Sequence, residues 1–147
     1  MSALTDAWQQ ALGAEQQAAF GYPLAGPRLD SGTDLARTCQ AAHEALRDQT
    51  ASAIEKAGAT PALPPADFPS LYPVRDAGAA QRLAIRLEQD AAKAWRYLYA
   101  VAAQGSGTDA VAARTAAQAA LTASAVRATQ WRLLVDPARA TVAFPGI

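Results

Sequence analysis

Several residue types are scarce in this 147-residue chain, and each scarcity excludes something. There is one cysteine, Cys39, so no internal disulfide can form and the chain suits a reducing compartment. There is one histidine, His43, so any imidazole chemistry must use it. Only two lysines, Lys56 and Lys93, accompany eleven scattered arginines, and thirteen basic residues balance thirteen acidic ones. A chain of zero formal charge without a basic cluster offers no electrostatic case for nucleic acid or an anionic membrane. No window approaches the roughly 20 consecutive apolar residues of a membrane span. The start, Met1-Ser-Ala-Leu-Thr-Asp6, lacks the basic end and apolar core of a signal peptide. The expectation is a cytoplasmic protein.

The abundant residue is alanine. Apolar residues make up 51% of the chain, with few β-branched runs, a composition that favours closely packed helices in one domain spanning 1–147. Periodicity predicts four helices, at about 4–29, 33–57, 76–104 and 108–135. On the first, Leu4, Trp8, Ala11, Leu12, Ala18, Ala19 and Tyr22 recur at helical spacing, and Pro23 and Pro27 should kink or fray its end. Ser31 or Thr33 is the expected cap of the second and Thr108 that of the fourth.

Between the second and third helices, Gly58 to Pro73 carries five prolines, at 61, 64, 65, 69 and 73, which exclude helix and favour an extended path. At about 3.1 Å per residue this segment reaches about 45 Å. The second helix spans about 38 Å, so the connection can return along the whole bundle. Leu63, Phe68, Leu71 and Tyr72 give it apolar side chains to pack with. Two helical hairpins joined by one long Pro-rich crossover describe an all-α, ferritin-like four-helix bundle.

Each helix places one polar side chain inside an otherwise apolar stripe: Glu15, His43, Glu88 and Arg127. On the third, Ile85, Ala92, Trp95 and Tyr99 surround Glu88; on the fourth, Arg127 lies within about 40° of Trp131 on the helical wheel. A charge facing a core costs several kcal/mol (roughly) unless it is paired. Two readings follow. Ferritin-like di-iron proteins take one Glu from each of two helices and a Glu-x-x-His pair from each of the others, and Glu15 and Glu88 fit the single-Glu positions. The pairs read instead Gln40-Ala-Ala-His43 and Ser124-Ala-Val-Arg127. A fixed guanidinium repels a cation and pairs well with two carboxylates. The favoured reading is therefore a metal-free polar network of Glu15, His43, Glu88 and Arg127. The alternative is an iron or manganese site, dinuclear or mononuclear, with Glu15, His43 and Glu88 as ligands and Gln40 as an auxiliary. Trp8, Trp95, Trp131, Tyr22, Tyr97 and Tyr99 read as core packing before they read as a ligand cavity.

Several segments together carry a family resemblance: Glu15-Gln-Gln-Ala-Ala-Phe-Gly-Tyr22, Ala42-His-Glu-Ala-Leu-Arg-Asp48, Leu87-Glu88 seven residues before Trp95-Arg96, Trp131-Arg132, and Phe144-Pro-Gly146. In these the chain resembles the actinobacterial ferritin-like domain family of unknown function. The resemblance implies a fold and no established activity. Taken with the degenerate ligand pattern, it points to a binding or interaction module, with a metal-dependent oxidase or ferroxidase as the rival. The apolar surplus makes a homodimer reasonable; a small molecule or another protein is the other open partner class.

Overall fold

The computed structural model describes residues 2–147, and among them the regular structure is helical throughout, with no strand. Four long helices form it: α1 Ala3–Ala25, α2 Thr33–Lys56, α3 Ala77–Ala102 and α4 Thr108–Val135. Single 3-10 turns follow α1 at Gly26–Arg28, precede α3 at Pro69–Leu71 and follow α4 at Pro137–Arg139. No helix of the described residues is long and apolar enough to cross a membrane.

The helix ends show what local chemistry decides. Ser2 and Asp76 cap α1 and α3, accepting from the backbone N–H groups of Thr5 at 3.1 Å and Ala79 at 2.7 Å. The expected caps of α2 and α4 are not used. Gly32 occupies the α2 N-cap at φ +80°, and Gly107 that of α4, neither with a side-chain hydrogen bond. At Gly32 a Cβ would lie 2.9 Å from Trp131 Cζ3, so both the turn and the packing of the α4 end select glycine. Helix α1 continues through Pro23, ending at Ala25 rather than near 29. The proline falls in the last turn, where only one ladder bond is forfeited, and the chain tightens at Gly26-Pro27.

Helix α1 packs on α2 and α3, and α3 on α4. Two apolar clusters reveal the directions. One gathers Tyr22 and Ala25 of α1, Ala36 and Cys39 of α2, Ala80 to Leu87 of α3, and Trp131 of α4. The other gathers Ala7 and Ala11, Ala91 to Ala102, and Ala113 to Ala120. Helices α1 and α4 therefore run one way and α3 the other, with α2 antiparallel to α1. Alanine dominates both clusters, and its small side chain lets the helices approach closely.

Residues 57–76 are tied to α1 mainly through polar groups. Gln9 donates to Thr60 O at 2.8 Å and accepts from Ala62 N at 2.9 Å, while Gln16 donates to Ala62 O at 2.8 Å. Further on, Phe68 meets Phe20 with ring centroids 5.1 Å apart, and Leu71 enters the core. Leu63 and Tyr72, expected to pack, stay exposed; at Leu63 the glutamines hold the adjoining backbone of Thr60 and Ala62, and the side chain faces outward.

Candidate functional site

Between the two apolar clusters lies a polar layer. Glu15, His43, Glu88 and Ser124 are each wholly buried, one from each helix. His43 stands between the two carboxylates, with Nδ1 2.5 Å from Glu15 Oε2 and Nε2 2.8 Å from Glu88 Oε1. Arg127 enters from α4 and spans Glu88, its Nε donating to Oε1 and Oε2 at 3.1 Å each, while Nη2 reaches Ser124 Oγ at 3.3 Å. Its side chain retains 14% exposure, so the guanidinium joins the buried layer to the surface. Glu15, His43, Glu88 and Arg127 thus lie in one layer.

Gln40 is not among them. It donates to Glu44 Oε1 at 2.9 Å along its own helix, three residues before His43 and on a neighbouring face. Tyr99, expected beside Glu88, is partly exposed instead, at 39%. It lies eleven residues beyond Glu88, on nearly the same side of the helix but about 16 Å further along, near the C-terminal end of α3.

Three aromatic partners, expected from the sequence to pack the core or to line a cavity, complete the layer as hydrogen-bond donors. The Trp95 indole donates to Glu15 Oε1 at 2.7 Å. The Tyr22 hydroxyl donates to Glu88 Oε1 at 2.8 Å and accepts from Trp131 Nε1 at 3.0 Å. A pattern in the sequence carries this signal: an aromatic follows the glutamate by seven residues on both α1 (Glu15, Tyr22) and α3 (Glu88, Trp95). Because the two helices are antiparallel, the aromatic of each lands opposite the glutamate of the other. The result is a reciprocal pair of carboxylate–aromatic bonds with the imidazole between them.

The electrostatics follow from this geometry. Burial is the largest influence on His43 and disfavours its charge, but hydrogen bonds to Glu15 and Glu88, with their Coulomb attraction, outweigh it and hold the ring up at about 9. With both ring nitrogens facing carboxylates, the imidazolium form is the one that satisfies both bonds. By formal charge the layer holds two anions and two cations. Burial, then the nearby Glu88 charge, pushes the Tyr22 phenol far above its ordinary range, and burial likewise raises the Cys39 thiol. Among the described residues every buried side-chain nitrogen and oxygen has a hydrogen-bond partner.

Residues 7–147 match the family described as a domain of unknown function, DUF4439. The chain belongs to this family. A solved structure similar to this DUF4439 chain is that of a conserved hypothetical protein, rv2844, from Mycobacterium tuberculosis, at a TM-score of 0.79 and 29% identity over 91% of this chain and 98% of that one. No curated protein matches the chain. Neither the family description nor the name of the relative states an activity, so chemistry must be argued from the site.

Proposed function

We propose that this DUF4439 chain is a ferritin-like bundle whose metal site has degenerated into a charge-balanced polar network, and that it serves as a binding or interaction module. The Pro-rich stretch before α3 is then the long crossover of that fold, a reading supported by its successive contacts with Gln9, Gln16 and Phe20 along α1. The observation that carries the proposal is the use of His43: both ring nitrogens are spent on carboxylates, leaving no lone pair for a cation.

The donor set does not fit a dinuclear iron or manganese centre. Two carboxylates and one imidazole remain where four carboxylates and two imidazoles are needed. Gln40 is engaged with Glu44, Ser124 is a weak donor, and Arg127 supplies the positive charge that a metal would otherwise bring to Glu88. The rival reading, a metal-dependent oxidase or a mononuclear site, draws its support from the convergence of Glu15, His43 and Glu88. Anaerobic titration of the purified protein with Fe(II) and Mn(II), read by calorimetry and elemental analysis, separates the two. The network reading expects no stoichiometric uptake, together with a loss of about 2–4 kcal/mol of stability in Arg127→Met, which leaves Glu88 with His43 as its one remaining cationic partner. One or two equivalents of bound metal, lost in His43→Ala, would sink it.

A further inference from the structure

A surface feature apart from the network points to a ligand. The chain after α4 folds back over the groove between α3 and α4 and is held there by a specific seat. Gly146 adopts φ +83° against α3, where a Cβ would stand 2.7 Å from Ala92 O, and Arg96 Nη1 reaches Pro145 O at 3.4 Å. This strap and the two helices enclose a pocket of about 310 Å³. Lys93 and Arg132 line it from opposite helices, and neither side chain has an ion-pair or hydrogen-bond partner among the described residues. The two acidic side chains that line it are already engaged: Asp90 by Gln17 at 2.8 Å and Arg86 at 3.6 Å, and Glu88 by Arg127, Tyr22 and His43.

The pocket does not end there. It shares Ala125, Val142 and Pro145 with an adjoining groove of about 520 Å³ along α4, whose lining contains no charged residue. Apolar surface at Val126, Val142 and Phe144 lies open along this path, at 53%, 47% and 69% exposure. One end carries two unpaired cations, and the other is an uncharged apolar trough. An anionic head with an apolar chain matches both.

We infer that the strap, α3 and α4 form a binding site for a monomeric single-chain carboxylate amphiphile, with its head at Lys93 and Arg132 and its chain along the groove beside Val126. This inference rests on the binding-module reading and names a ligand class for it. It is independent of whether the buried layer takes metal, which the metal titration decides separately.

The test is calorimetric titration of the full chain with decanoate below its micelle concentration, with decyltrimethylammonium as the tail-matched cation. Saturable binding of decanoate alone is expected. The Lys93→Gln/Arg132→Gln double variant should weaken it about tenfold and remove the preference for the anion. Val126→Glu, a surface change in the trough, should weaken it comparably, as should Gly146→Ala through loss of the strap's seat. Circular dichroism melts establish that these variants remain folded, since the first three side chains are not in the core. Three results would overturn the inference: no saturable heat with decanoate, equal affinity in the folded double variant, or association with phosphatidylglycerol vesicles without binding of free decanoate.

Discussion

The charge on His43 makes stability depend on pH in a direction the structure dictates. Below about pH 6.5 the imidazole is protonated whether the chain is folded or not, so its attraction to Glu15 and Glu88 contributes in full. As pH rises, the unfolded chain releases the proton at its ordinary value, while the folded chain keeps it to about 9. Stability should therefore fall through this window, and the His43 contribution levels off above it. At about 1.4 kcal/mol per pH unit, an interval from 6.5 to about 9 is worth about 3 kcal/mol. Tyr22 ionises above this window even in the unfolded chain, and Cys39, whose folded thiol burial raises, adds a fall of the same sign only from about pH 8.5 upward. Urea unfolding at pH 6.0, 7.0 and 8.0, below the range where the unfolded Cys39 ionises, measures the effect, with His43→Gln as the control whose profile should be nearly flat. A wild-type stability that is level or rises across this range would refute the claim that His43 is a buried cation. The same dependence persisting in His43→Gln would assign it elsewhere.

The aromatic donors carry a second prediction. Trp95→Phe and Tyr22→Phe each preserve the ring but leave a buried carboxylate oxygen short of a donor, and each should cost about 1–3 kcal/mol in urea unfolding. Losses no larger than those of a surface substitution would mean the rings act by packing alone. Gln40→Ala should change stability by less than about 0.5 kcal/mol, because its bond to Glu44 lies outside the layer; a loss of several kcal/mol would place Gln40 within it.

The satisfied layer explains how an alanine-rich bundle tolerates four ionisable groups at its centre. Each carboxylate oxygen meets at least one donor, and two indoles of the network, Trp95 donating to Glu15 and Trp131 donating to the Tyr22 hydroxyl, also fill the apolar clusters on either side. Packing and polarity thus reinforce each other instead of competing. A single geometric fact underlies this: α1 and α3 carry the same glutamate-to-aromatic spacing and run in opposite directions.

The number of helices, their limits to within a few residues and the identity of the four polar intruders are legible without any fold, because helical periodicity and the cost of burying charge are both local or pairwise rules. Sequence alone misplaced the caps of α2 and α4, since Ser31, Thr33 and Thr108 are chemically good caps and only the packing of Trp131 against Gly32 selects the glycine at α2. It also left Leu63, Tyr72 and Tyr99 on the wrong side of the surface. What tertiary structure alone decided was who meets whom. That Glu15 bonds Trp95, that Tyr22 bonds Glu88 and serves Trp131, and that His43 touches both carboxylates depend on helix direction and register across 28 to 109 residues of chain. The strap over α3 and α4, with its unpaired Lys93 and Arg132, depends on them too. Periodicity along one helix places a side chain on a face; only the docking of faces places it against a partner.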